Sequence, residues 1–261
     1  MIQLAHGALS ATIDPASGGR LTSLRIQGSE LIADHEEREP DFLRGCFPLA
    51  PWCGVLPGGP QGLRDARPMH GLVHSSAWEV LASDRRHATL QTWIGPGTPR
   101  PWLGRGRLAL RYELAEDALA MRLSLTAVEG SWPVALGFHP WFRRQLGNDA
   151  SEARYSYSPA VRLVQEGDGW PRVPTADLGP YPHDDVFAGL AEPPHVRWSS
   201  GIGLRIESDA PIWVVYERHP HGFCIEPWTD ADGPLATHRT PPLAEGDTRQ
   251  LELRLAVLTR Q

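Results

Sequence analysis

Two ionisable side chains in this sequence occur in settings that suit proton transfer: His139, in Gly137-Phe138-His139-Pro140-Trp141-Phe142, and Glu226, in Phe223-Cys224-Ile225-Glu226-Pro227-Trp228. A histidine titrates at about 6.5 when unperturbed, so it can give or take a proton near neutrality. Pro140 fixes its own φ and drives His139 toward extended backbone, which restricts where the imidazole points. Glu226 closes an alternating apolar run beside an indole. Such a setting desolvates a carboxylate, raises its pKa and makes it a better base. Trp141 and Phe142 add flat faces that suit the carbon–hydrogen side of a ring ligand. Taken alone, the six residues around His139 also describe a packed histidine at a strand end, its nitrogens hydrogen-bonded to neighbours.

Further chemistry-bearing residues are scattered along the chain. His70 precedes Gly71, where the backbone can come close to another group, and His74 follows four residues later. That pair lies outside any amphipathic helix and has no nearby carboxylate, so it is a weak metal-ligand set, and neither a metal nor any other cofactor is expected. In Tyr181-Pro182-His183-Asp184-Asp185-Val186-Phe187, adjacent carboxylates precede an apolar pair, which lets one point outward and one inward or leaves both in a solvated turn. Cys46, Cys53 and Cys224 form no CxxC pair and give no disulfide framework. All 25 basic residues are arginine, so a lysine nucleophile or Schiff base is excluded and guanidinium groups are the strong cations.

The elements that must position these groups have a period of two. Leu108, Leu110, Tyr112 and Leu114 alternate with polar residues, Ala115-Glu116-Asp117-Ala118 turns the chain, and Leu119, Met121, Leu123 and Leu125 alternate again. This predicts an antiparallel hairpin with one buried face. Alternation also marks Leu9–Ile13, Leu21–Ile26, Ile202–Ile206, Ile212–Tyr216 and Leu251–Val257, and nothing comparable has a helical period. With 26 Gly and 25 Pro to make turns and no break in composition, the expectation is an all-β fold, one antiparallel sandwich domain over residues 1–261. Loops are expected at Glu36–Asp41, at Arg44–Leu56 with the Gly/Pro cluster Pro57–Pro60, and at Val164–Tyr181 as a pocket rim.

With 41% hydrophobic and 21% charged residues in 261, the composition is that of a globular protein and not of a disordered chain. A net charge of -6 argues against nucleic acid as a partner, because such binding rests on clustered cations that neutralise phosphates. A small uncharged molecule fits better. The first residues have no signal-like basic flank and apolar run, and no segment nears the ~20 apolar residues of a membrane span, so a cytoplasmic protein without membrane partners is expected, monomeric or homodimeric.

The segments GCFPLAPW (Gly45–Trp52), HGL (His70–Leu72), GFHPWF (Gly137–Phe142), DDVF (Asp184–Phe187) and CIEPW (Cys224–Trp228), in this order over nearly the whole chain, resemble the aldose 1-epimerase, or galactose mutarotase-like, family. The resemblance implies a large β-sandwich whose concave face binds a pyranose without metal or nucleotide. It implies that Glu226 takes the proton of the anomeric hydroxyl, that His139 protonates the ring oxygen, that His70 assists, and that Asp184 holds the sugar. Trp52, Trp141 and Trp228 are then the aromatic faces for stacking. Where the family commonly carries Asn-Arg, this chain has Gly54 and Val55, so Arg44 or an arginine from another loop is expected to supply the missing contact. Three other readings accompany the mutarotase: a hexose-6-phosphate epimerase using Arg44, Arg143 and Arg144, a sugar-binding domain of the same fold without catalysis, and a metal-dependent β-barrel enzyme using His70, His74 and His139.

Overall fold

A computed structural model describes residues 1–33, 43–55, 69–147, 151–165, 172–231 and 241–258. Its strands form two antiparallel sheets. The longer runs, in spatial order, Ile2–His6, Leu9–Asp14, Arg20–Ile26, Cys46–Leu49, Gly137–Arg143, Gly222–Trp228, Ile212–Tyr216, Asp184–Leu190, Pro159–Val164 and Val173–Thr175, with Ser29–Glu30 attached to Arg20–Ile26. The shorter runs Arg154–Ser156, His195–Arg197, Gly203–Ser208, Thr248–Val257, Ala118–Glu129, Arg105–Leu114, His87–Ile94 and Glu79–Ser83. Among the described residues there is no α-helix, and no helix is long and apolar enough to cross a membrane.

The alternation fixes which side faces which. In Arg105–Leu114 the burial pattern alternates residue by residue, and the strand pairs with Ala118–Glu129 so that Leu110 lies opposite Leu123 and Leu108 opposite Leu125. These side chains meet Phe138, Phe142, Phe223 and Ile225 of the longer sheet in one apolar cluster between the two layers. Each large apolar side chain buried there stabilises the fold by about 1.5–3 kcal/mol. A second, smaller cluster, including Phe47, Trp141, Val186, Val214, Cys224 and Trp228, covers the opposite face of the longer sheet. That outer face carries the site.

Two segments expected as loops contain strands. Cys46–Leu49 is an interior strand between Arg20–Ile26 and Gly137–Arg143 despite Pro48. Its ladder with Arg20–Ile26 is confined to Leu21 opposite Cys46, so the N–H that Pro48 lacks falls where that neighbour has diverged. Within Val164–Tyr181, Val173–Thr175 pairs with Pro159–Val164 as the edge of the longer sheet. The loops expected at Glu36–Asp41 and Pro57–Pro60 lie outside the described residues.

Candidate active site

Register brings the acid and base candidates together. Gly137 pairs with Trp228 and Trp141 with Cys224, which sets His139 opposite Glu226 on adjacent strands. His139 is paired on its other side with Phe47, Glu226 with Val214, and Val214 with Val186. Because side chains on one face recur every second residue, these five form a single row across the sheet. The next row holds Asp184, Tyr216, Cys224 and Trp141. Both rows line or underlie a cleft of about 600 Å3 whose walls include Val55, His70, Gln165, Arg172, Asp184, Tyr216 and Trp228.

At its floor, Nε2 of His139 lies 3.4 Å from Oε1 of Glu226. The imidazole is clamped between the ring of Phe47, 4.8 Å away, and that of Trp141, 5.5 Å away, both nearly parallel to it. The indole N–H of Trp228 donates to Oε2 of Glu226 at 3.1 Å and so turns the other carboxylate oxygen toward the histidine. Beneath Phe47, the guanidinium of buried Arg20 stands 4.4 Å from the ring centroid and donates to the carbonyl oxygens of Arg44 and His74.

His70 enters from a loop in the left-handed region, at φ 69°, and its ring meets that of His139 edge-on at 4.9 Å. This conformation is uncommon for a residue with a side chain and costs of order 1–3 kcal/mol, so it persists only where surroundings enforce it. Here the His70 amide donates to the Gly54 carbonyl at 2.8 Å, and the Gly54 amide donates to Nδ1 of His70 at 3.2 Å. Burial and the neighbouring His74 push the His70 pKa down to about 3, so the ring is neutral. With Nδ1 accepting, its proton sits on Nε2, which makes His70 a hydrogen-bond donor of fixed tautomer.

Gly71 continues the same turn at φ +88°, and a Cβ added there would stand 2.1 Å from the carbonyl oxygen of Ala50. Gly71→Ala is therefore expected to destabilise the fold by about 1–3 kcal/mol for the left-handed backbone and about 1–3 kcal/mol for the overpacking, and to displace His70. Denaturant unfolding with an unchanged midpoint would contradict this.

Burial pushes the Glu226 pKa well up, and burial, reinforced by His70 and Arg20, pushes the His139 pKa well down. Glu226 is 2% and His139 5% exposed. Both directions put the pair's one proton on the carboxyl and leave the imidazole neutral, so the pair carries no net charge. Protonated carboxyl with neutral imidazole and carboxylate with imidazolium are two placements of that proton, and they titrate as a pair.

Of the other residues expected at the site, Asp184, Trp141 and Trp228 line the cleft. Asp184 is half-exposed there, 3.5 Å from a guanidinium nitrogen of Arg218, and Asp185, which also lines the cleft, pairs with Arg162 and His183. Trp52 and Arg44 do not line it. Trp52 is 1% exposed and packs on Trp102 in the core at 5.0 Å, because the strand before it delivers its ring to the inner side. Sequence reasoning missed Tyr216 and Arg172. Tyr216 was visible only as the end of an alternating run, and Arg172 carries no local signal.

The sequence pattern of the aldose 1-epimerase family matches residues 1–177. A search of the curated proteins gives no match. Among solved structures, the chain is similar to the Slr1438 protein from Synechocystis sp. PCC 6803 (17% identity, 100% of this chain and 96% of that one covered, TM-score 0.80). It is also similar to a galactose mutarotase related enzyme from Lactobacillus acidophilus (17%, 100% and 98%, TM-score 0.76) and a galactose mutarotase-like protein from Clostridium acetobutylicum (14%, 98% and 94%, TM-score 0.77). At these identities the likeness establishes the shared two-sheet fold. Because the family pattern extends over the first two-thirds of the sequence, including His70 and His139, and the fold agrees over the whole of it, this chain belongs to the aldose 1-epimerase family.

Proposed function

We propose that this protein is a mutarotase that interconverts the α and β anomers of an aldose. The observation that carries the reading is the 3.4 Å separation of His139 Nε2 from Glu226 Oε1 on the floor of the cleft. Mutarotation needs a base at the anomeric hydroxyl and an acid at the ring oxygen, and both oxygens are borne on one carbon. An acid and a base this close can serve them together. From the carboxylate–imidazolium placement of the pair's proton, Glu226 takes the hydroxyl proton while His139 gives its proton to the ring oxygen; the bond from that oxygen to the anomeric carbon breaks and an aldehyde forms. Rotation about the adjacent carbon–carbon bond presents the other face, and reversal of both transfers closes the other anomer. The proton of the pair is restored at the end, so turnover needs no exchange with solvent. His70 donates from Nε2 to a sugar oxygen, and Asp184, Tyr216 and Trp228 are the remaining contacts.

Polarimetry on freshly dissolved α-glucose, α-galactose and a panel of other aldoses tests this, and rates no faster than buffer across the panel would remove it. The pair also sets the pH dependence. Activity is lost on the acid side when the pair binds a second proton. With the His139 pKa well below its usual value, that limb of kcat/KM is expected well below pH ~6.5. A limb at the free-histidine value would count against a buried, shared proton.

Arg172 takes the place of the arginine absent at Val55. It is the arginine of the cleft among the described residues, whereas Arg143 donates to the Ile32 carbonyl and Arg144 to those of His219 and Glu217, away from it. Arg172→Ala is expected to raise KM about tenfold with little change in kcat, as for loss of a hydrogen bond from a charged group. The hexose-6-phosphate reading consequently rests on Arg172 and not on Arg44, Arg143 or Arg144. Comparing a free aldose with its 6-phosphate on the wild type and this variant separates the two.

A further inference from the structure

Cys224 is a third donor on the catalytic face. It lies two residues before Glu226 on the same strand and opposite Trp141, so its side chain shares the face of His139 and Glu226. One donor atom from each of His139, Cys224 and Glu226 falls within 4.8 Å of the others, and all three residues are buried. The mutarotase mechanism has no use for the thiol. We propose that these three residues form a binding site for a thiophilic divalent cation of the zinc type, and that its occupation shuts down the acid–base pair.

The donor set selects the metal class. Imidazole and thiolate favour zinc and its neighbours over calcium or magnesium, which take oxygen ligands. Bond lengths of about 2.0 Å to nitrogen and 2.3 Å to sulfur require donors about 3.3–3.8 Å apart in a tetrahedron, which side-chain movement of about 1 Å supplies. Three protein ligands leave the fourth position to the cleft. Charge also closes: the thiol gives up its proton and the His139–Glu226 pair gives up its shared one to solvent, so thiolate, carboxylate and neutral imidazole balance a dication in a buried site. The indole of Trp228, bonded to the second carboxylate oxygen, holds the first in place, as an outer-shell partner does in metal sites. Bound there, the ion takes the lone pairs that proton transfer needs.

Binding is independent of the mutarotase reading; only the inhibition rests on it. The test is titration of the chelator-treated full-length chain with cobalt(II), read by absorption. One ion per chain with a thiolate-to-cobalt charge-transfer band is expected. Cys224→Ser should lose that band and weaken cobalt and zinc binding by at least about tenfold, while Glu226→Gln weakens binding but keeps the thiolate. Absence of the band in the wild type overturns the site, and so does a band that survives Cys224→Ser with unchanged affinity. Should Cys224→Ser not fold, a cobalt affinity unaltered by Glu226→Gln overturns the site, and a weakened affinity with the band retained supports it. In polarimetry, zinc should stop the wild type, and Cys224→Ser should turn over normally and need at least about tenfold more zinc. A metal-free protein that epimerises nothing fails the mutarotase reading and leaves the cobalt result standing.

Discussion

Replacing Glu226 by glutamine is expected to lower kcat for mutarotation by about 10²–10⁴-fold, the usual contribution of a positioned general base, while KM changes little. The substitution preserves volume in a site where the side chain is 2% exposed, and the indole of Trp228 can donate to an amide oxygen as it does to the carboxylate. What it removes is the lone pair that accepts the anomeric proton at the required driving force. It also leaves no buried charge unpaired, because the wild-type pair is net neutral, so the fold should survive with an unchanged unfolding midpoint. A kcat within a few-fold of wild type would mean that another group is the base.

His139→Gln should cost a similar factor, about 10²–10⁴-fold in kcat, and its more informative consequence is in the double variant. Acid and base act in one step on two oxygens of one carbon, so losing either removes the concerted transfer, and the double variant should be little worse than either single one. Fully additive losses would show that the two residues work in separate steps. Some stability loss accompanies His139→Gln, since the imidazole is stacked between Phe47 and Trp141 and aromatic pairs are worth about 0.5–1.5 kcal/mol each. Activity is therefore compared with the fraction folded measured alongside.

How much of this could be read beforehand differs by residue. The hairpin of Leu108–Leu125 followed from alternation because its pairing is local and its period unambiguous. For Asp184 and Asp185 the sequence left opposite faces or a solvated turn open, and in the structure both line the cleft from the start of the strand Asp184–Leu190. That His139 lies opposite Glu226 did not follow from any periodicity: strand order brings Gly137–Arg143 beside Gly222–Trp228 only through long-range pairing, and the family resemblance alone linked them beforehand. Pro48 misled about Cys46–Leu49 because a proline is excluded from a central strand only where its N–H would face a partner. Trp52 shares a motif with Phe47 yet turns into the core, since aromatic type says nothing about which side of a strand end the ring takes. Arg172 could not be assigned because its place on the cleft depends on the edge pairing of Val173–Thr175.

The left-handed His70 is a different kind of case. A histidine before a glycine hints at a tight turn, but its positive φ and its exchange of hydrogen bonds with Gly54 are properties of two loop segments held together. The same contact places Gly54 and Val55, neither with a polar side chain, beside the cleft.

The most direct test of the central claim is polarimetry of freshly dissolved α-aldoses with equal concentrations of folded wild type and Glu226→Gln. The expected result is a catalysed approach to the anomeric equilibrium with at least one aldose for the wild type, and a rate about 10²–10⁴-fold lower for the variant. Equal catalysed rates for the two proteins would contradict the role of the His139–Glu226 pair, and no catalysis by the wild type on any aldose would contradict the mutarotase reading itself.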